Sequence, residues 1–281
     1  MKFGTFVRIP EGADIKAVCD EKFSEIKAMG LDSCQLVYKP EVYNLNDADI
    51  IRESAEKHGI EISAQFAGYR DPYTKFDNFF DFHNAGLNSP AFRESRTKYI
   101  LSVIPFMKRL GVTDMIVHSG HVPNNPFERE YSEMVCSVRI IAEALKKNEM
   151  NFLFETGGES PISLLRLIGD IGLDNVFINL DTGNIIMYGF GNPVDALYTY
   201  GKYVRNVHAK DGLPPTDPRR IGKEVNIGEG HVDFEKVFSM LHDLGYDRFV
   251  TIEREIRDGA QAEEIARSMK YLKGLVEKYY E

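Results

Sequence analysis

The sequence predicts an α/β chain folded as a single-domain (β/α)8 barrel over residues 1–281, and three observations predict it. Short β-branched or aromatic runs alternate along the chain with longer segments of helical periodicity. Eight such pairs fill 281 residues, roughly 35 each, which suits a barrel of about 250 residues with modest insertions. One glycine-led turn also recurs four times between a helix and the next strand: Gly30-Leu31-Asp32, Gly111-Val112-Thr113-Asp114, Gly172-Leu173-Asp174 and Gly245-Tyr246-Asp247. A residue without Cβ can take the left-handed conformation that closes a helix. Because the flanking residues differ, the repeat points to a cyclic architecture and not to a duplication.

The strands expected from these runs are Lys2 to Ile9, Ser33 to Val37, Ile60 to Phe66, Asp114 to His118, Asn151 to Glu155, Val176 to Asp181, Val204 to His208 and Arg248 to Glu253. Between them, apolar residues three and four apart mark buried helix faces. Examples are Ile15, Val18, Cys19, Phe23 and Ile26; then Tyr131, Met134, Val138, Ile141 and Leu145; and last Ile265, Met269, Leu272 and Val276. A doubly wound sheet is the competing architecture. Its glycine fingerprint is missing from the first strand-helix turn, Arg8-Ile9-Pro10-Glu11-Gly12, and no phosphate loop of the Gly-x-x-x-x-Gly-Lys-Ser/Thr type occurs. No linker or low-complexity stretch divides the chain.

Charge and composition exclude several functions. With 34 basic and 43 acidic side chains the formal charge is −9, the wrong sign for a protein that displaces counterions from DNA or RNA. The start, Met1 to Pro10, has one Lys and an apolar run broken at Arg8, too short for a signal-peptide core. No apolar run approaches the roughly 20 residues that span a bilayer. Cys19, Cys34 and Cys136 are far apart and form no CxxC pair, so free buried thiols in a reducing compartment are expected. Together these point to a cytoplasmic location with no nucleic-acid and no membrane partner.

Two insertions stand out. From Phe66 to Phe92, after the third strand, lie eight aromatics, among them Tyr69, Tyr73, Phe76, Phe79, Phe80 and Phe82. On the face where barrel active sites form, such a segment reads as a water-excluding lid; the alternatives are a local plug and a subunit interface, the latter making the protein a homo-oligomer. The second insertion, Asp211 to Val232, contains Pro214-Pro215, Arg219-Arg220 and Gly228-Glu229-Gly230. Loops this long are usually functional.

Barrel catalysts place their chemistry at the C-terminal ends of strands. Strands five to eight end in Glu155, Asp181, His208 and Glu253. A lone carboxylate in such a place is most often a helix cap or salt-bridge partner, but four strands in succession each delivering one possible ligand are not independent accidents. Three carboxylates and an imidazole at one point repel one another unless a cation joins them. Three oxygens and one nitrogen suit Mn2+ or Mg2+ best, with Zn2+, Co2+ or Fe2+ also accommodated.

Phe154-Glu155-Thr156-Gly157, Leu180-Asp181-Thr182-Gly183-Asn184, Val207-His208-Ala209-Lys210-Asp211, Ile227-Gly228-Glu229-Gly230-His231-Val232-Asp233-Phe234 and Thr251-Ile252-Glu253-Arg254-Glu255 resemble signatures of the xylose-isomerase-like TIM-barrel superfamily, in its sugar phosphate isomerase/epimerase branch. The resemblance runs nearly end to end and is most specific from Glu155 to Glu255. It implies a divalent metal held by Glu155, Asp181, His208 and Glu253, with Glu155 and Glu253 also serving as acid and base. The metal would polarise a sugar carbonyl and stabilise an enediolate. Return of the proton to the same carbon epimerises, return to its neighbour isomerises, and departure of a β-hydroxyl dehydrates.

Departures narrow the choice. DNA-repair members of the superfamily carry extra ligands where this chain has Asn184, Gly222 and Glu224, so a trinuclear cluster is not expected. Tagatose-3-epimerase-like members carry a histidine at Asn184, a second glutamate at Pro161 and an arginine at Pro214, so their substrate contacts are not reproduced. Expected substrate-binding residues are His118, Gln65, Asn184 and Lys210. Of these, Lys210 shares the strand face of His208 and could neutralise enediolate charge or bind an anion, the alternative being a salt bridge to a neighbouring acid; His118 could instead orient a carboxylate. Arg254 would point outward unless its strand has ended, and Arg219 and Arg220 read as solvated cations or a phosphate clamp. The expectation is a metal-dependent isomerase or epimerase of a small sugar or sugar phosphate. Its rivals are a dehydratase of an inosose or 3-dehydroshikimate and a non-catalytic sugar-binding subunit.

Overall fold

The computed structural model describes residues 1–39, 41–68, 85–256 and 259–280. Eight parallel strands close a barrel: β1 (Lys2–Val7), β2 (Ser33–Tyr38), β3 (Glu61–Ala67), β4 (Asp114–Val117), β5 (Asn151–Glu155), β6 (Val176–Asp181), β7 (Val204–Ala209) and β10 (Phe249–Ile252). They pair in chain order, with β10 closing the ring between β7 and β1. Two shorter strands, β8 (Asp211–Leu213) and β9 (Lys223–Val225), form an antiparallel ribbon above β7. The second insertion is therefore partly a hairpin, while the six aromatics from Tyr69 to Phe82 lie outside the described residues.

Helices follow the strands: α1 (Ile15–Ala28), α2 (Asp47–His58), α3 (Arg93–Leu110), α4 (Arg129–Lys146), α5 (Pro161–Ile171), α6 (Thr182–Met187), α7 (Pro193–Tyr200), α8 (Phe234–Asp243) and α9 (Gln261–Tyr280). Local sequence explains their starts. Asp14 accepts from Ala17 N at 3.1 Å to cap α1, and Asp233 accepts from Lys236 N at 2.9 Å to cap α8. The four glycine-led turns behave as expected, with positive φ at Gly30, Gly111, Gly172 and Gly245. None of the described helices is long and apolar enough to cross a membrane.

Strand alternation sorts the core into two layers. Phe152 and Phe154 of β5 join the large cluster between strands and helices, while Leu153 packs in a separate small cluster with Ala64, Ile116, Phe66 and Phe177. On α4, Met134, Val138, Ile141 and Leu145 are buried. The same helix corrects one expectation: Cys136 is exposed, because it stands off that apolar stripe, whereas Cys19 and Cys34 are buried.

At the N-terminal end of the strands the barrel floor is closed by a buried carboxylate, Asp114. Arg205 Nε donates to both its oxygens at 2.9 Å, Arg248 donates at 3.2 Å and Asn151 Nδ2 at 2.7 Å. The Arg205 guanidinium also lies 5.1 Å from the Phe177 ring centre. Cations on β7 and just before β10 thus tie β4 to these two later strands.

Candidate metal centre

At the opposite end, four strands deliver acids and an imidazole to one point. Glu155 and Asp181 are the last residues of β5 and β6, His208 is the penultimate residue of β7, and Glu253 is the first residue past β10. The registers align Asp181 with His208 and His208 with Thr251, so the ends of these strands are level. One ligand atom from each of the four residues lies within 4.8 Å of all the others, and all four residues are buried. His208 Nδ1 stands 2.7 Å from Glu155 Oε1, 3.2 Å from Glu253 Oε2 and 3.9 Å from Asp181 Oδ2.

The two oxygens of Asp181 have separate duties. Oδ1 accepts from the backbone N–H groups of Gly183 and Asn184 at 2.9 and 2.8 Å, capping α6. Among the described residues Oδ2 is buried without a hydrogen-bond partner, as is Glu253 Oε2. Asn179 of β6 donates its amide to Glu155 Oε2, and Gln35 Oε1 of β2 lies 2.8 Å from His208 Nε2. Two motif glycines make room for the packing. A Cβ at Gly157 would meet the Tyr188 ring at 2.6 Å, and one at Gly183 would meet Lys210 Cγ at 2.8 Å.

Without a metal the cluster is electrostatically frustrated. Burial pushes the Asp181 carboxyl well above the usual carboxylate range, and it raises Glu155 against the pull of His208. Burial would raise Glu253 too, but Lys210 and His208 outweigh it and hold that carboxyl low. Burial alone would lower His208; Glu155 and Glu253 override it and push the imidazole up to about 10. Lys210, 3.8 Å from Asp181, 3.7 Å from Glu253 and 2.5 Å from Glu255, is likewise raised by its acidic neighbours in spite of burial. With the imidazole neutral, three ligand carboxylates face one lysine that is shared with Glu255, an excess of negative charge that a divalent cation would offset. The orphaned oxygens, the short ligand spacing and this charge balance fit such a cation, which the four residues could hold.

The substrate-binding expectations divide. Lys210 is almost completely buried beside the cluster. His118, just past β4, feels Lys210 and Glu253; burial and then Lys210 lower its imidazole to about 4, and Gly120 N donates to its Nδ1 at 3.4 Å. Asn184 is buried on α6, its Oδ1 without a hydrogen-bond partner among the described residues. Gln65 is also buried, but it stands on the alternate face of β3 from Ala64 and Phe66, which pack with Ile116 and Leu153, and its amide makes no hydrogen bond among the described residues. Arg254 does not point outward: Glu224 and Glu264 hold it at 2.7 and 2.5 Å. Arg219 and Arg220 are exposed.

Sequence reasoning missed Gln35 and Asn179, which sit inside strands and not at their ends, and Asp211. The last accepts from Gly228, Gly230 and Val232 N at 2.9, 2.9 and 3.1 Å, folding the Ile227–Phe234 motif back onto the strand after His208. An acid directly after a predicted lysine, facing a glycine-rich loop, was the available signal.

Comparison with known proteins agrees with this picture. A family model described as xylose isomerase-like TIM barrel matches residues 23–275. An uncharacterized protein, MJ1311, of Methanocaldococcus jannaschii is 29% identical over 72% of this chain and 71% of its own length. An inosose dehydratase of Clostridium botulinum is 23% identical over 80% and 78% of the two chains. Among solved structures, a xylose isomerase domain protein from Planctomyces limnophilus superposes with a TM-score of 0.88 at 28% identity, covering 99% of this chain and 98% of its own. A D-tagatose 3-epimerase-like protein superposes with a TM-score of 0.73 at 22% identity over 100% and 98%, a likeness of fold alone.

Proposed function

Because the chain belongs to the xylose isomerase-like TIM-barrel family, we propose that it is a cytoplasmic, divalent-metal-dependent isomerase or epimerase of a small sugar or sugar phosphate, with Mn2+ as the expected ion. The observation that carries this reading is the convergence of Glu155 and Glu253 on His208 Nδ1 at 2.7 and 3.2 Å, from strands separated in the barrel by β6 and β7. A divalent cation bound by Glu155, Asp181, His208 and Glu253 supplies Lewis-acid polarisation of a substrate carbonyl.

The chain's own residues do the rest. One of the two glutamates takes the proton from the carbon beside the carbonyl, and the other, as a carboxylic acid, returns one. Between the two transfers negative charge develops on substrate oxygen, and the Lys210 ammonium, 3.7 Å from Glu253, stands where it offsets that charge. Asn179 keeps Glu155 aimed by holding its second oxygen. Asn184 Oδ1, buried and without a hydrogen-bond partner, accepts from a substrate hydroxyl, and His118 contacts a second.

The test is turnover of ketoses, ketose phosphates and keto-inositols with Mn2+ in D2O, read by NMR after chelation. Expected is a new epimer carrying solvent deuterium at the carbon that lost its proton, or a new isomer carrying it at the neighbouring, former carbonyl carbon. Metal-loaded protein that exchanges no deuterium into any of these would sink the reading. A second reading, dehydration of an inosose, is favoured by the inosose dehydratase relative; it is distinguished by a product lighter by one water.

A further inference from the structure

We infer that Gln35 is the positioning residue that fixes the ring tautomer of His208, and through it the affinity of the centre for its metal; this rests on the reading of the four ligands as a metal site. Gln35 and His208 are 173 positions apart in sequence and come from β2 and β7, between which β1 and β10 lie in the barrel wall. Both are completely buried. The Phe6 ring, on the strand between, lies edge-on to the imidazole with centroids 5.0 Å apart, and Phe6 is in register with Gln35. The imidazole is therefore held on two sides, with Nδ1 facing Glu155, Asp181 and Glu253 and Nε2 facing Gln35 Oε1 at 2.8 Å.

Ring chemistry turns this geometry into a role. A neutral imidazole has one N–H, and a ligating nitrogen must offer its lone pair. If Nδ1 ligates, the proton must sit on Nε2, which is buried, and it needs an acceptor there. Among the described residues Gln35 Oε1 is the acceptor that Nε2 has. Without the amide oxygen, the tautomer protonated at Nδ1 competes, and it cannot ligate.

The experiment combines Mn2+ affinity, measured by EPR on purified full-length protein, with 15N NMR of histidine-labelled protein loaded with diamagnetic Zn2+. Gln35→Leu, which keeps bulk and removes the acceptor, is expected to weaken Mn2+ binding by about 10- to 100-fold, the usual cost of losing a group that orients a metal ligand. Gln35→Glu, which keeps an acceptor, is expected to bind within a fewfold of wild type. A merely space-filling glutamine gives the reverse order, and that result overturns the inference. In the wild-type Zn2+ form His208 is expected to carry its proton on Nε2; a proton on Nδ1 also overturns it, and this readout decides the matter even if Gln35→Leu does not fold. Wild-type protein that binds no divalent ion fails the metal reading itself, a result distinct from tight binding by both wild type and Gln35→Leu, which fails this inference alone.

Discussion

The two ends of the barrel bury the same kind of group and treat it in opposite ways. On the floor, Asp114 is met by two arginines and an amide, so its charge is fully compensated by permanent donors. At the mouth, Glu155, Asp181 and Glu253 share one lysine and one histidine, and two of their oxygens have no hydrogen-bond partner. Burying an unpaired carboxylate is expensive, so an end that tolerates it is organised around something that binds there. The floor contributes to stability and the mouth is poised for a ligand, as barrels in general divide their two faces.

The most damaging way to break this contrast is at the mouth. Glu253→Gln is expected to lower turnover of any substrate found by about 10²- to 10⁴-fold, the usual loss for a general acid–base group. The same change removes the counter-charge that Lys210 and His208 hold low, so the metal-free variant is expected to melt below wild-type apoprotein but by less than Asp114→Ala does; an equal or larger drop would show that the mouth is a structural network like the floor. Asp114→Ala tests the other end. It leaves Arg205 and Arg248 facing each other without an anion and is expected to cost about 2–4 kcal/mol in urea unfolding, with Mn2+ affinity unchanged.

pH separates the two ends further. His208 has its folded-state pKa raised from 6.5 to about 10, so the stability it lends the metal-free protein is full below pH 6.5 and is lost as pH rises toward 10. Apoprotein Tm is expected to fall across that window. Mn2+ affinity is expected to rise through it, by about tenfold per pH unit for one displaced proton; pH-independent binding between pH 7 and 9 would contradict the imidazolium. The smallest effect belongs to Lys210→Met. Removing a cation from beside Asp181 and Glu253 is expected to tighten Mn2+ binding on the order of tenfold while turnover falls. Weaker binding in that variant would mean that Lys210 holds the ligands in place and does not merely balance their charge.

The four candidate ligands were legible because a parallel barrel places strand ends on one face, so reading the last residue of each late strand reads the mouth. Glu155 and Asp181 end their strands as expected, and Glu253 follows β10 by one residue. Gln65 shows where the rule weakens. The third strand runs on to Ala67, so Gln65 is no longer terminal, and alternation turns it away from Phe66. Gln35 shows the converse: the register of β2 on β3 shifts between Cys34 and Gln35, and no local pattern foretells that its amide meets His208.

The sequence by itself determined the barrel, its glycine-led turns and the identity of the residues gathered at its mouth, because hydrophobic period, helix closure and strand-end position are local properties repeated along the chain. Only the tertiary structure decided which acids are compensated and which are not. Asp114 and Asp181 both lie on apolar strands, yet one meets arginines from β7 and from the residue before β10, while the other keeps a bare oxygen toward His208 and Lys210. That difference is set by side chains distant in sequence converging in a buried interior, where a charge depends on every partner within a few ångströms more than on its neighbours along the chain.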